Sequence, residues 1–247
     1  MSIMFKIQSF GMTDIGLKRQ KNQDNFLVDD SARLYIVADG MGGHLGGETA
    51  SKVAVEEIRK YIIKSMIPES PTNKIENAVK YANARVHKLS RQKVELSGMG
   101  TTVSSLFIRD NSAYIAQVGD SRVYLFRDGN IWQLTQDHSL VQEKFRSGLI
   151  TREEIKKDKM KNIITRSVGF EADVLVDSYK KQLEKGDVFL ICCDGLYGMI
   201  DDDQLLEIVQ SEFMEKNNME DCVKSLIQRA NENGGEDNIS AILVHIK

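Results

Sequence analysis

Aspartate directly follows an apolar run at two places in this sequence, and glycine comes next in both. The aspartate of LYIVADG is Asp39, and that of LICCDG is Asp194. A strand that ends on a carboxylate holds it on a rigid base, and the glycine lets another group approach the backbone closely. Asp-Gly is also the favoured pair of a two-residue hairpin turn, so the neighbouring residues have to distinguish the two interpretations.

Asp128-Gly129 is an internal control for these two pairs. It separates VYLFR from NIWQL, two strand-like runs, and this pattern predicts a hairpin. After Asp39 come further glycines and a long amphipathic run, and after Asp194 come LYGMI and three consecutive aspartates. Because neither is followed by a return strand, we expect Asp39 and Asp194 to point at a shared site.

Three more aspartates lie beside strand-like runs: Asp120 follows YIAQVG, Asp24 precedes NFLV, and Asp237 precedes NISAILV. Two like charges about 4 Å apart repel by about 4 kcal/mol at an effective dielectric of about 20. A few such pairs would offset a typical stability of about 5–15 kcal/mol. Protonation or separation in space would relieve the repulsion. If the carboxylates converge, a bound cation is the more economical solution, and oxygen donors favour Mg²⁺ or Mn²⁺ over zinc. Calcium is less favoured because the sequence has no twelve-residue loop of the D-x-[DN]-x-[DN]-G kind.

The order of predicted elements favours an α+β fold. Amphipathic helices are predicted near 47–62, from after Pro71 to about Leu89, and near 202–215 and 219–232. Thr72 or Asn73 is the expected cap of the second helix. Strands are predicted near 5–11, 25–29, 33–38, 101–108, 113–119, 121–127, 130–134, 174–182, 187–193 and 238–246. Helices and strands are grouped rather than alternating, and a Lys- and Glu-rich segment at about 139–163 is expected to form a flap on a single domain of residues 1–247.

Composition and charge argue against several classes of protein. The chain has 247 residues, a net charge of −3 and scattered Lys and Arg, so nucleic acid is not expected as the main partner. No run reaches the roughly 18 apolar residues of a membrane span, and residues 1–10 lack the apolar core of a signal peptide. The three cysteines form no C-x-x-C pair, which favours reduced core thiols in a cytoplasmic protein.

Eight short motifs follow one another along the chain. They are R-x-x-x-x-D at 19–24, V-A-D-G-M-G-G-H at 37–44, G-T-T at 100–102, V-G-D-S-R at 118–122, T-x-D-H-S at 135–139, I-T-R-S-V-G at 164–169, C-D-G-L at 193–196 and G-G-x-D-N-I at 234–239. In this order and spacing the chain resembles the metal-dependent type 2C (PPM family) serine/threonine protein phosphatases in their bacterial single-domain form.

The resemblance implies a four-layer α-β-β-α sandwich of two antiparallel sheets with flanking helices and a small flap. It implies hydrolysis of phosphoserine and phosphothreonine in proteins by water activated at a binuclear Mn²⁺ or Mg²⁺ centre. The expected partners are phosphorylated proteins that a bacterial serine/threonine kinase has modified, in a signalling role, and the expected oligomeric state is a monomer. Arg19 corresponds to the residue that binds the substrate phosphate, and Asp24 to the one that holds metal-bound water.

The same family pattern implies the ligands of the metal centre. Asp39 corresponds to the carboxylate that bridges two ions, and Gly40 to the residue that binds one of them through its carbonyl. Asp194 and Asp237 correspond to the ligands that complete the other ion. Asp120 corresponds to the residue that helps to hold a third, weaker ion in bacterial members.

The chain departs from the eukaryotic pattern at the residue that follows Asp39-Gly40. Eukaryotic members carry a histidine there, proposed to protonate the leaving group, whereas this chain has Met41. The general acid is therefore left open between His44, His138 and a metal-bound water. For His138 a structural hydrogen bond is the favoured interpretation.

Three alternative functions are weighed against this interpretation. A cysteine-dependent phosphatase needs C-x5-R, and Cys222 meets Gln228 at that spacing, with Arg229 one residue too late. A nucleotide-binding loop is not indicated, because GMGGHLGG lacks the G-x-G-x-x-G spacing and no P-loop lysine follows. A catalytically silent regulatory pseudophosphatase would be expected to have lost one or more of the metal-binding aspartates, all of which are present.

Overall fold

Residues 5–42, 46–155 and 157–247 are described by the computed structural model, and within them twelve strands are observed. The strands are β1 (Ile7–Asp14), β2 (Asn25–Asp29), β3 (Leu34–Ala38), β4 (Gly40–Met41), β5 (Gly100–Thr101), β6 (Val103–Arg109), β7 (Ser112–Val118), β8 (Arg122–Arg127), β9 (Asn130–Gln133), β10 (Asp177–Gln182), β11 (Val188–Cys192) and β12 (Ile239–Ile246).

Two antiparallel sheets of five strands contain most of these strands. The first sheet has the order β1-β12-β11-β8-β9 and the second β10-β7-β6-β3-β2, while β4 and β5 form a separate small pair. The hairpin predicted at Asp128-Gly129 is confirmed, because Arg127 pairs with Asn130 and both turn residues have positive φ, 50° and 72°. Positive φ at both central residues is the requirement of a type I′ turn.

Among the described residues, four helices follow the amphipathic runs of the sequence and three short ones lie outside those runs. They are α1 (Gly46–Lys64), α2 (Pro71–Gln92), α3 (Leu140–Arg146), α4 (Arg152–Ile155), α5 (Asp194–Tyr197), α6 (Asp202–Ile208) and α7 (Met219–Glu232). A π-helical segment, Val209–Glu215, continues α6. The expected cap of α2 was wrong: Ser70 accepts the hydrogen bond from the Asn73 amide, and Pro71 begins the helix.

Successive side chains of β3 point to opposite faces of the sheet, so this one buried strand packs against two layers. Leu34 and Ile36 pack into the cluster formed with α1 and α2, whereas Tyr35 and Val37 pack between the two sheets. A third cluster joins the outer face of the first sheet to α6 and α7. The order of layers is therefore helices, sheet, sheet and helices, which confirms the predicted α+β, four-layer α-β-β-α fold. Among the described residues, no helix is long and apolar enough to cross a membrane.

The segment expected to form the flap contains the two short helices α3 and α4. Its ends are joined by an isolated bridge between Ser139 and Ile164, and the Leu140 amide donates to the Ile163 carbonyl at 2.8 Å. Inside the segment, Lys144 forms an ion pair with Asp158 at 2.8 Å. These contacts close the segment on itself at the point where it leaves the sheets.

We expect the layer between the sheets to carry much of the stability. Leu106 is fully buried there, so Leu106→Ala should lower the free energy of unfolding by about 2–5 kcal/mol, through lost apolar burial and a residual cavity. Leu149→Ala is the matched control, since Leu149 is 74% exposed in the flap. This change should alter the free energy of unfolding by less than about 0.5 kcal/mol. Urea unfolding followed by circular dichroism measures both, and equal effects would contradict the layer assignment.

Candidate active site

Strand register brings the five aspartates singled out in the sequence to one end of the sandwich. In the second sheet, Asn25 of β2 pairs with Ala38 of β3, so Asp24 and Asp39 lie on adjacent strand ends. In the first sheet, Cys192 of β11 pairs with Ala241 near the start of β12, which places Asp194 beside the segment that contains Asp237. Asp120 follows β7, whose end pairs with the start of β6.

Electrostatic interactions among these carboxylates show that they converge. Burial raises the pKa of Asp39 well above its ordinary value, and the negative charges of Asp24, Asp194 and Asp120 raise it further. Burial raises the pKa of Asp24 to about 7, with the charges of Asp194 and Asp237 adding to it and a hydrogen bond from Ser240 opposing it. Without a cation, ionisation of all these carboxyl groups at once is therefore unfavourable.

The remaining two buried members follow the same pattern. Burial raises the pKa of Asp194, the charge of Asp237 raises it further, and a hydrogen bond with Asp39 partly offsets the shift. Burial also raises the pKa of Asp120, and the charge of Asp194 contributes next. Each carboxylate is thus held near others of the same sign, which is the arrangement that a divalent cation stabilises.

Two carboxylate oxygens at this end lack partners. Asp24 Oδ1 and Asp194 Oδ1 are buried and accept no hydrogen bond from the residues that the structure describes. Orphaned acceptors of this kind fit a hard cation or its water shell. Within the described ranges, no group of three or more His, Cys, Asp or Glu side chains forms a ready-made metal cage. A cation here would therefore draw on main-chain oxygens or on water as well, as Mg²⁺ commonly does.

The main chain of Asp39 is clamped by the two threonines of the G-T-T motif. The Asp39 amide donates to Thr102 Oγ1 at 2.9 Å, and its carbonyl accepts from the Thr102 amide and from Thr101 Oγ1, both at 2.8 Å. Thr102 Oγ1 is also 2.7 Å from Ser121 Oγ, which ties this clamp to the strand end that carries Asp120. The side chain of Asp39 thus starts from a fixed backbone.

Position 40 requires glycine because two main-chain carbonyl groups lie too close to leave room for a side chain. A Cβ atom there would lie 2.1 Å from the carbonyl oxygen of Gly47 and 2.5 Å from that of Gln23. Both obstacles are main chain, so they could not move aside without shifting α1 or the loop that precedes Asp24. This confirms that the glycine of this Asp-Gly pair serves close packing rather than a hairpin.

Asn238 connects the segment that carries Arg19 to the start of β12. Its side-chain amide donates to the carbonyls of Ile15 and Lys21 at 2.9 and 3.0 Å, and its Oδ1 accepts from the Gln23 amide at 2.8 Å. The side chain of Asn238 is buried, whereas Ile15 and Lys21 are exposed, so these three bonds are partly shielded from water. They place the 15–23 loop against the strand end beside Asp237.

Arg19 lies at the open side of the cluster. Its guanidinium Nη2 is 2.5 Å from Asp237 Oδ2, and the side chains of Arg19 and Asp237 are 52% and 31% exposed. The hydrogen bond with Asp237 raises the pKa of Arg19, and the charges of Asp39 and Asp194 act in the same direction. A positive group therefore borders the acidic cluster where solvent reaches it.

Arg122 holds together three segments around Asp120. Its guanidinium donates to both carboxylate oxygens of Asp137 at 2.7–3.2 Å and to the Tyr124 hydroxyl at 2.8 Å. It also lies 3.6 Å from the centre of the Tyr197 ring, and the Tyr197 hydroxyl donates to the Asp120 carbonyl at 3.1 Å. Helix α5, which begins at Asp194, is thereby fixed against the Asp120 loop.

Of the two histidines considered as proton donors, His138 and His44, only His138 is among the described residues. His138 is buried, and its Nδ1 accepts from the Gly119 amide at 3.1 Å while Nε2 lies 3.1 Å from Asp177 Oδ2. Burial lowers the pKa of His138, so the neutral ring is favoured. These contacts agree with the structural role that we favour for His138. His44 lies outside the described residues.

Sequence reasoning found all five carboxylates but assigned no role to the residues that support them. Thr102 and Asn238 lie inside the quoted G-T-T and G-G-x-D-N-I motifs, yet their hydrogen bonds join positions far apart in the chain. For Asn238 a signal was available, because an amide side chain directly after a candidate ligand and before a buried strand needs partners. No local sequence feature indicated the partners of Arg122.

Comparison with known proteins gives consistent matches along almost the whole chain. The sequence pattern of the family described as Protein phosphatase 2C matches residues 5–239. The chain is 36% identical over 238 residues to the serine/threonine phosphatase stp of Listeria monocytogenes serotype 4b (strain F2365), covering 94% of this chain and 93% of that protein.

Solved structures agree with the sequence matches. The serine/threonine phosphatase PstP/Ppp of Mycobacterium tuberculosis has a TM-score of 0.90 and 29% identity, over 99% of this chain and 100% of that one. A catalytic domain of PstP in complex with two manganese ions has a TM-score of 0.87 and 29% identity, over 98% of this chain and 99% of that one.

We expect Asn238→Ala to loosen the loop that carries Arg19, because two main-chain carbonyls and one amide lose their partner. The free energy of unfolding should fall by about 1–3 kcal/mol or more. Trypsin should also cleave faster at Lys18, Arg19 or Lys21, as read by mass spectrometry of the fragments.

The matched control is Asn130→Ala, which removes an exposed side chain that donates to the Asp128 carbonyl in the β8–β9 turn. Trypsin should cleave the 15–23 loop of this Asn130→Ala variant at the same rate as that of the unmodified protein. Identical cleavage rates for Asn238→Ala and the control would contradict the anchoring role of Asn238.

Proposed function

The chain belongs to the protein phosphatase 2C family of serine/threonine phosphatases, and from that membership we propose that its acidic cluster is a binuclear Mn²⁺ or Mg²⁺ centre. The centre would serve to hydrolyse phosphoserine and phosphothreonine esters in proteins. The observation that carries the proposal is the convergence of five aspartates at one end of the sandwich, with two buried carboxylate oxygens that have no hydrogen-bond partner among the described residues.

Four residues are proposed as ligands of the two ions: Asp39 as the bridging carboxylate, Gly40 through its carbonyl, and Asp194 and Asp237 through their side chains. Two divalent ions, when bound, lower the pKa of a water towards neutrality and offset charge on the phosphoryl oxygens. The convergence of carboxylate charges supports the assignment, since each proposed carboxylate ligand faces at least one of the others.

Asp24 and Asp120 are proposed to act around this pair. Asp24 is anchored by Ser240 Oγ at 2.7 Å through one carboxylate oxygen, which leaves Oδ1 free to accept from a water in the cluster. Asp120 lies at the far side, near the flap, and is proposed to contribute to a third, weaker cation site. Both carboxylates are buried, so their orientation is set by the fold.

Arg19 is proposed to bind the phosphate of the substrate. Its side chain is half-exposed and contacts Asp237 through Nη2, so an incoming phosphate can reach the guanidinium from solvent. Two parallel hydrogen bonds from one guanidinium match two oxygens of a phosphate, a geometry that a lysine ammonium does not reproduce. The positive charge also offsets the negative potential that the carboxylates present to a phosphorylated substrate.

The leaving-group proton is not proposed to come from His138. Its Nδ1 already accepts a hydrogen bond, and its Nε2 faces Asp177 and Arg166 rather than the acidic cluster. A water held in the cluster or His44 therefore stays as the proposed donor.

The biological setting is proposed on broader grounds. The substrates are taken to be phosphoproteins that a bacterial serine/threonine kinase has modified, and the enzyme is taken to act as a monomer. A cytoplasmic location is proposed because Cys192, Cys193 and Cys222 are free and buried, as is usual for thiols in a reducing compartment.

Asp194→Asn is expected to lower kcat for p-nitrophenyl phosphate in the presence of Mn²⁺ by more than about 100-fold, because loss of an outer-shell partner alone typically costs about 10–100-fold. Asp203→Asn, which removes an exposed charge of α6, is the matched control and should keep full activity. EDTA should abolish the activity of the unmodified protein, and added Mn²⁺ or Mg²⁺ should restore it. Full activity of Asp194→Asn, or activity that survives EDTA, would contradict the metal centre.

Arg19→Ala is expected to raise KM for a phosphopeptide on the order of ten-fold or more, because hydrogen bonds to a charged group are lost. Arg19→Lys should give an intermediate KM, since it keeps the charge but not the parallel hydrogen bonds. Steady-state kinetics with Mn²⁺ measures all three proteins. An unchanged KM in Arg19→Ala would argue against phosphate binding by this residue.

A further inference from the structure

A cleft of about 420 Å³ runs from the acidic cluster to the flap, within the size range of ligand pockets in proteins. Asp194 and Asp237 lie on its wall together with residues of the flap and of the segment that follows Asp194. Its lining residues include Val141, Ile155, Lys161, Tyr197, Met199 and Glu236. We refer to this space as the flap cleft.

The flap contributes two aliphatic side chains to one wall of the flap cleft. Val141 of α3 is buried and Ile155 of α4 is half-buried, and both line the cleft. Neither belongs to any of the three apolar clusters that the described part of the chain forms around its sheets. Their apolar surface therefore serves the flap and the cleft rather than the protein core.

The lining that follows Asp194 in the chain has apolar side chains as well and is held in place. Tyr197 and Met199 are half-buried, line the cleft and follow Asp194 closely in the chain. The Tyr197 ring stacks on Arg122 at 3.6 Å, and its hydroxyl is bonded to the Asp120 carbonyl. An apolar side chain that entered here would meet the fixed Tyr197 ring, so little ordering cost on this part of the lining would oppose its binding.

The cleft is continuous with the place where the phosphate would be cleaved. A substrate whose phosphate reaches Asp194 and Asp237 has neighbouring residues that must continue either into the flap cleft or over open surface. An acidic neighbour would be disfavoured in the cleft. Apart from the proposed metal ligands and the Arg122–Asp137 ion pair, Asp201 and Glu236 line it against a single lysine of the described residues, Lys161.

We propose that the flap cleft binds an apolar side chain next to the phosphorylated residue of a protein substrate, with Ile155 and Met199 as the residues that determine this preference. The proposal rests on the proposed phosphatase function, and it names the substrate class of that same site. The flap cleft would distinguish substrates by the residue next to the phosphorylated one, whereas the acidic cluster and Arg19 would contact the phosphate alone.

The test compares phosphoserine peptides that differ in one flanking residue, Leu, Ala or Glu, placed in turn at each position beside the phosphoserine. At one position or more, kcat/KM with Mn²⁺ should be about ten-fold higher for Leu than for Ala, and lowest for Glu. Ile155→Ala and Met199→Ala should each reduce the Leu-to-Ala ratio to about three-fold or less, since each removes part of one apolar wall. The ratio is measured within one protein, so a general change in activity cancels.

Leu149→Ala is the matched control, because Leu149 is an exposed flap residue that does not line the cleft, and it should keep the ratio of the unmodified protein. Equal kcat/KM for Leu and Ala at every position, combined with normal hydrolysis of p-nitrophenyl phosphate, would overturn the cleft proposal alone. A ratio that both Ile155→Ala and Met199→Ala leave unchanged would also overturn it. No hydrolysis of p-nitrophenyl phosphate or any peptide by the unmodified protein would overturn the proposed function as well.

Discussion

Repulsion among buried carboxylates is the constraint on which the structure of the active end depends. Each pair of like charges about 4 Å apart costs about 4 kcal/mol at an effective dielectric of about 20, against a typical stability of about 5–15 kcal/mol. Burial first, and this repulsion after it, raises the pKa of Asp24, Asp39, Asp120 and Asp194. The remainder of the molecule must hold these groups together against it.

The sandwich does so by fixing the backbone at the strand ends, and Ser240 anchors the side chain of Asp24 as well. Antiparallel register brings the ends of β3 and β11 and the starts of β2 and β12 to one end of the molecule. Threonine hydroxyls clamp the main chain of Asp39, and Asn238 fixes the loop that carries Arg19. Asp24 Oδ1 and Asp194 Oδ1 have no hydrogen-bond partner within the described part of the chain, so they are available to a ligand, which is the preorganisation that a catalytic centre requires.

Much of this arrangement was predictable from local sequence, and the rest depends on contacts between distant residues. Strands such as β3 and helices such as α1 follow from apolar runs and their periodicity. The two-residue strands β4 and β5 and the single turn of α5 are too short to produce a periodic signal. The partners of Asn238 and Arg122 become visible only when the chain is folded, because they lie on other elements.

Location of the cations tests the account most directly. Crystals of the protein soaked in Mn²⁺ would be measured near the manganese absorption edge, and an anomalous difference map calculated. The account predicts two strong peaks about 3.5–4 Å apart, both in contact with Asp39, one with the Gly40 carbonyl and the other with Asp194 and Asp237. A map without peaks among these residues, at a Mn²⁺ concentration that supports full activity, would contradict it.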